Sequence, residues 1–307
     1  MSKKKLGLLV MAYGTPSSLN EVEAYYTHIR RGNPPSPEKL QELIERYEAI
    51  GGVSPLNEIT RSQVSELERK LNETSDEYSF HAYIGMKHAY PFIEEAVAQM
   101  AQDGISSAVG IVLAPHYSIM SVGTYNKTAL EAAQAHHIHL SCVKSYHLEP
   151  SFIEALVQRV KDALCRFPTD KQQEVKVLFT AHSLPEKILE LGDPYPEQLR
   201  ETAQAVAEGS GVSNWDNGWQ SAGQTAVPWL GPDILDEMKA LQDEGVKDLI
   251  ISPIGFVSDH LEVLYDIDIE AQKLARELGI HLERTASLNS DPLFIEALSR
   301  AVMKQLN

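Results

Sequence analysis

Two short stretches carry side chains whose types and spacing could do chemistry. In LFTAHSLPEK (178–187), His182 stands between an apolar run that reads as a buried strand and a segment that reads as a helix start. Ser183 and Glu186 have the spacing of a capping box, and Pro185 fits a first helical turn. That accounts for the serine, proline and glutamate but not for the histidine. A strand end aims such a side chain into a crevice, where a neutral imidazole can bind a borderline metal or take a proton. The second stretch is SDHLEVLYDIDIEAQKLA (258–275). At about 100° per residue, Glu262, Asp266 and Glu270 fall on one stripe of a helix, with Asp259 on the same side. Like charges at i, i+4 repel by roughly a few tenths of a kcal/mol per pair. Lys273 is the only lysine among them and comes at the end. The stripe is either the solvated edge of an amphipathic helix or a carboxylate ladder relieved by a cation.

Two further groups stand out. In THIRRGNPPSP (27–37), Arg30 and Arg31 flank a stiff proline loop, followed by Arg46 and Tyr47 on the next helix and Ser54 in the turn after it. Paired arginines suit carboxylate or phosphate ligands, or they are helix C-terminal cations favoured by the macrodipole. Tyr13, before Gly14-Thr15-Pro16, occupies in the first half of the chain the junction that His182 occupies in the second. Tyr125 follows another strand-plus-proline junction, APHYS (114–118). Either tyrosine is also compatible with ordinary packing.

The elements that must position these residues repeat. VMAYGTP (10–16) resembles FTAHSLP (179–185), EPSFIEAL (149–156) resembles DPLFIEAL (291–298), and DGISSAVGIVLAP (103–115) resembles EGVKDLIISP (244–253), in the same order in both halves. Three matches in register imply two similar domains. Apolar runs predict strands near 6–13, 79–85, 107–114 and 139–146, then 175–181, 215–221, 247–254 and 280–286, with helical patterns between them, including one helix over 260–278. This alternation predicts an α/β fold of two doubly wound domains, each with a parallel four-stranded sheet. The division expected is 1–150 and 151–286, with the C-terminal helix 287–307 free to pack on the first domain. Ligands of such sheets bind outside the carboxyl ends of the strands, which is where His182, Tyr13 and the acidic stripe fall.

Composition narrows the class. The 307 residues carry a net charge of −16 from 27 basic and 43 acidic residues, which argues against nucleic acid or an anionic membrane as the main partner. No apolar run reaches the roughly 20 residues of a membrane span, and the basic start at Met1–Lys5 lacks a signal-type apolar region. A cytoplasmic protein without membrane insertion is expected. No strand is followed by a glycine-rich dinucleotide fingerprint or a Walker-type loop. Cys142 and Cys165 are too few for a four-thiolate iron–sulfur cluster.

The chain resembles the ferrochelatase family, and closely its soluble coproporphyrin subgroup from Gram-positive bacteria. The resemblance spans essentially the whole chain, through GLLVMAYGTP (7–16), YYTHIRRG (25–32), RYEAIGG (46–52), AYIGMKH (82–88), AHSLPEKI (181–188), GDPYPEQL (192–199), PWLGPD (228–233) and GFVSDHLEVLYD (255–266). AHSLP followed by SDHLE at this separation is the most specific pair. The resemblance implies a chelatase-like fold with a porphyrin cleft between the domains, and insertion of Fe2+ into a porphyrin, coproporphyrin III first and protoporphyrin IX as the alternative. It implies that His182 and Glu262 face each other across the cleft as catalytic residues and metal ligands, and that Asp266 and Glu270 line a metal route that could hold a second divalent ion such as Mg2+. It implies that Tyr13, Arg30, Arg46, Tyr47, Ser54 and Tyr125 contact the porphyrin and its propionates. Some family members carry a C-terminal extension with a [2Fe–2S] site and a membrane-associating lip. This chain carries neither signature, so no iron–sulfur cluster, no tightly bound cofactor and a soluble monomer are expected, with a transient contact to the next haem-pathway enzyme left open. The rivals are a cobalt chelatase of the same superfamily and a non-catalytic haem or iron carrier.

Overall fold

The computed structural model describes residues 3–223 and 225–306. The apolar runs form two four-stranded sheets, in which every strand pairing is parallel. The first contains β1 (Lys4–Ala12), β2 (Tyr78–Met86), β3 (Ser107–Val112) and β4 (His139–Cys142), in the order β2-β1-β3-β4. The second contains β5 (Lys176–His182), β6 (Trp215–Gln220), β7 (Asp248–Ser252) and β8 (His281–Arg284), in the order β6-β5-β7-β8. β1 is buried from Leu6 to Ala12 and β5 from Lys176 to Ala181, so both central strands are covered on both faces. In each sheet the chain runs from the central strand to one side and then crosses to the other. The strand order therefore reverses between β1 and β3 and between β5 and β7, and crevices open at such reversals.

The helices between them are α1 (Val22–Ile29), α2 (Pro37–Ala49), α3 (Leu56–Thr74), α4 (Ile93–Gln102), α5 (Val122–Ala135), α6 (Pro150–Leu164), α7 (Lys187–Glu190), α8 (Tyr195–Ser210), α9 (Ile234–Asp243), α10 (Gln272–Leu278) and α11 (Pro292–Met303). α1 gives little sequence signal because Val22 is its only buried residue.

The two FIEAL helices exchange partners. α6 follows the first sheet but packs on α8 and β7 of the second half, while α11 follows the second sheet and packs on α3 and β3 of the first. The two helices also pack on each other. Phe152 and Phe294, the equivalent residues of the repeat, meet there with ring centroids 6.3 Å apart, and Tyr146 packs on both. One apolar cluster therefore runs unbroken from Leu8 and Val10 of the first sheet, through these rings, to Val177 and Phe179 of the second.

Two local expectations change. The predicted helix over 260–278 is a π-helix from Val263 to Ala271 that continues as α10. Ser183 does not cap a helix. It is fully buried, its hydroxyl donates to the Leu230 carbonyl at 2.6 Å, and α7 starts only at Lys187 without a side-chain cap. The SLPE backbone instead pairs with 228–230: Glu186 N–H donates to Pro228 O at 3.0 Å and Leu230 N–H to Leu184 O at 2.8 Å. A partner 47 residues away in sequence outcompetes the local cap.

Candidate active site

The four strand ends at the two reversals open into one cavity of about 430 Å3. Its walls include Tyr13 and Gly14 after β1, Ala114 and His116 after β3, His182 and Leu184 at β5, and Gly255 through Ser258 after β7. Two glycines permit the close approach. A Cβ on Gly255 would lie 2.4 Å from Ala181 Cβ, so only glycine lets the β7 exit pass against the end of β5. Gly14 has φ +83° and faces Ala89, where a Cβ would be 2.7 Å away.

His182 is fixed by its neighbours. Its Nδ1 contacts the Ser183 carbonyl, and Tyr195 Oη donates to the His182 carbonyl at 3.0 Å. With Nδ1 held on a carbonyl, Nε2 is the nitrogen turned to the cavity, and it lies 3.7 Å from Glu262 Oε1. The other carboxylate oxygen, Oε2, lies 3.5 Å from His260 Nε2, and the His260 Nδ1–H donates to the Ser258 carbonyl at 2.9 Å. Glu262 is thus an anion between two imidazoles. Burial pushes its pKa up, but His182, His260 and Arg46 outweigh burial and hold the carboxyl down at about 2. For His260, burial disfavours the charge, yet Glu262 wins and raises its pKa above the ordinary imidazole range.

The acidic stripe divides. Asp266 is buried, accepts a hydrogen bond from the Ser221 hydroxyl, and has Arg46 Nη1 3.9 Å from Oδ1. Burial first, and then the charge on Glu262, push its pKa up to about 7, so it titrates near neutrality. Glu270 is also raised by burial, with Arg46 opposing. Asp268 faces elsewhere, in a bidentate pair with Arg284 at 2.6 and 2.9 Å. Asp259 precedes the helix, so the helical wheel does not apply to it. Its carboxylate is taken by Arg284 of the edge strand β8 and by Ser287 and Asn289 of the connection that follows it.

Among the expected porphyrin contacts, Tyr13, Tyr47, Ser54 and Tyr125 line the cavity. Tyr13, exposed toward the cavity, packs against the His88 ring with centroids 4.6 Å apart, and desolvation by the cavity walls followed by the Glu262 charge raises its phenol above the ordinary range. Tyr47 shares a hydrogen bond with Thr15 Oγ1 at 3.1 Å, and burial lifts it to about 12. Tyr125 lies under Lys87, whose ammonium is 4.9 Å from the ring centroid. Arg30 stays at the rim: it is exposed, donates to Asn33 O at 3.2 Å and stacks over Tyr26, itself a cavity residue. Arg46 turns to the acidic stripe, with its guanidinium 4.8 Å from the Tyr265 ring centroid.

Sequence reasoning did not single out His260, Lys87, His116 or Tyr195. The first has a signal in hindsight, as a histidine two residues before the key glutamate. The others are brought in by packing. Among the described residues, no three His, Cys, Asp or Glu side chains form a set that could hold a metal ion, and no helix is long and apolar enough to cross a membrane.

A family model described as Ferrochelatase matches residues 5–306. The chain belongs to the ferrochelatase family. It is 52% identical to the coproporphyrin III ferrochelatase of Bacillus subtilis (strain 168), over 100% of this chain and 99% of that one. It is 51% identical to the coproporphyrin III ferrochelatase of Oceanobacillus iheyensis, over 99% and 98%. Two solved structures share the fold at low identity. SirB from Bacillus subtilis with Fe3+ gives a TM-score of 0.59 at 12% identity, covering 98% of this chain and 95% of that one. CbiX, the terminal enzyme for biosynthesis of siroheme in denitrifying bacteria, gives 0.56 at 11%, covering 98% and 100%. This ferrochelatase is therefore an enzyme that chelates iron into a porphyrin, built on the α/β chelatase fold with its two parallel sheets.

Proposed function

We propose that this ferrochelatase inserts Fe2+ into coproporphyrin III to give Fe-coproporphyrin in haem biosynthesis, and that His182 and Glu262 carry the chemistry. Support for the porphyrin comes from full-length relatives named for that substrate. Support for the residues comes from one observation: His182 Nε2 and the Glu262 carboxylate lie 3.7 Å apart in the wall of a cavity that the strand ends of both halves enclose.

Insertion requires a distorted macrocycle, because a planar ring keeps its nitrogen lone pairs in plane. Iron must arrive at one face and two pyrrole protons must leave. The tyrosines and backbone of the cavity hold the ring, and their binding energy offsets its strain. Arg30 at the rim is suited to a propionate, and Ser54 and Tyr47 supply hydroxyls. His182 Nε2 offers a lone pair that ligates incoming Fe2+ or accepts a pyrrole proton. Glu262, ionised across the working pH range, stabilises either cation there. His260 keeps Glu262 charged and oriented. Tyr13 stands on the β1 side as a neutral phenol, suited to the iron of the product. Asp266 and Glu270 would supply carboxylate oxygens to a hard divalent cation such as Mg2+, with the Arg46 charge competing for the same carboxylates.

His182→Ala is expected to nearly abolish metal insertion while porphyrin still quenches protein fluorescence on binding. Wild-type turnover in that variant would remove His182 from the mechanism. Multiple turnovers on coproporphyrin III exceeding those on protoporphyrin IX, followed anaerobically with Fe2+, test the substrate; the reverse order would overturn its assignment.

A further inference from the structure

Asn289 lies outside the cavity, in the connection between β8 and α11, just before the DPLFIEAL repeat. It adopts φ +48°, in the left-handed region that few non-glycine residues occupy. Its N–H and both side-chain polar atoms turn toward one segment, the loop Val257–His260 that leads into Glu262, and its carbonyl turns to Gln63 of α3. Its N–H donates to Val257 O at 2.8 Å. Its Oδ1 accepts from Asp259 N–H at 2.9 Å, and its Nδ2 donates to Asp259 Oδ2 at 2.9 Å. Its carbonyl accepts from Gln63 Nε2 at 2.8 Å, and the same Gln63 nitrogen donates to Ser258 Oγ at 2.9 Å. Gln63 is fully buried on α3, in the first half of the chain, so the clamp joins the two halves.

The clamp has a clear downstream target. Ser258, held by Gln63, presents the carbonyl that fixes His260 Nδ1, and His260 Nε2 in turn faces Glu262 Oε2. We propose that Asn289 is a positioning residue of this enzyme: it sets the loop that aims His260 at Glu262, and thereby the geometry of the carboxylate at the site of insertion. The role rests on Glu262 acting at that site. The left-handed backbone explains the residue type. Asparagine tolerates that conformation and supplies both an acceptor and a donor to Asp259. Aspartate would lose the donor and place a second carboxylate beside Asp259, and alanine would lose both bonds and add strain.

Asn289→Gly is the cleanest probe, because glycine accepts the positive φ at no steric cost and removes only the two side-chain hydrogen bonds. The porphyrin-competent fraction is counted by fluorescence titration with coproporphyrin III, and Zn2+ insertion is then measured per titrated site. The expected result is a porphyrin KM within about twofold of wild type and a kcat per site lower by about tenfold or more, the scale of a sub-ångström to ångström misplacement. A purely structural role would reduce the number of titrated sites and leave kcat per site unchanged, and that result would overturn the proposal. Gln63→Met tests the same clamp from the other half and serves if the glycine variant does not fold; the same loss of kcat at constant porphyrin KM is expected, and an unchanged kcat overturns it. Glu262→Gln, run in parallel, separates the two levels. Wild-type turnover there removes the carboxylate's role, whereas loss there with unchanged kcat in Asn289→Gly removes only the positioning role.

Discussion

Asp266→Asn should make this protein more stable at alkaline pH and leave its acid stability unchanged. Asp266 is buried on the π-helix beside the ionised Glu262, and its pKa rises from the ordinary 3.8 to about 7 in the fold. Below pH 3.8 both the folded and the unfolded chain hold the proton, and the contribution vanishes. Between 3.8 and 7 the folded state keeps a proton that the unfolded chain releases, so stability falls as pH rises. Above 7 the loss is complete. Each pKa unit is worth about 1.36 kcal/mol, so the whole interval corresponds to roughly 4 kcal/mol. Asparagine removes the charge and keeps an oxygen for the Ser221 hydroxyl, and the attraction of Arg46 at 3.9 Å is already contained in that interval. A gain of about 2–4 kcal/mol at pH 8 is therefore expected, with almost none at pH 4. Urea unfolding at the two pH values, with a chelator present to exclude divalent ions, measures it. Insertion should slow in the same variant, because a buried charge retained against stability is typical of function. Equal stability of the two proteins at pH 8, or a loss in the variant, would refute the argument that Asp266 is a desolvated, self-repelled carboxyl.

Gly255→Ala should lower insertion by about tenfold or more, since the new Cβ meets Ala181 Cβ at 2.4 Å and Ala181 Cα at 2.8 Å, one residue from His182; steady-state kinetics on the folded variant would contradict this if kcat were unchanged. Phe294→Ala should cost about 3–5 kcal/mol, because the ring is fully buried against Phe152 and Tyr146 between the two halves; urea unfolding gives the number, and a cost under about 1 kcal/mol would mean the seam repacks.

Much of the architecture was legible because strands of parallel sheets advertise themselves. The central strands, buried on both faces, read as continuous apolar runs, and the repeated junctions VMAYGTP and FTAHSLP mark where each of them ends. The rule that ligands bind at such ends then led to His182 and Tyr13 without any knowledge of how the two sheets meet. The acidic stripe was legible as a helix but not as a π-helix, since residues four apart share a face in either form. The apparent capping box at Ser183 misled because its spacing is local, whereas the partner that claims the hydroxyl, Leu230, arrives from another strand connection.

By itself the sequence determined the eight strands and the residue types at their ends, because these depend on the burial and backbone preferences of single segments, and its alternation and repeated junctions carried the parallel pairing and the duplication. Only the tertiary structure decided the rest. It set which closing helix covers which sheet, that Phe152 and Phe294 meet across the seam, that Asp266 faces Arg46 while Asp268 and Asp259 are held by Arg284, and that His260 stands behind Glu262. These depend on side chains from distant segments competing for one partner within a few ångströms, and no periodicity within a segment records the outcome of that competition.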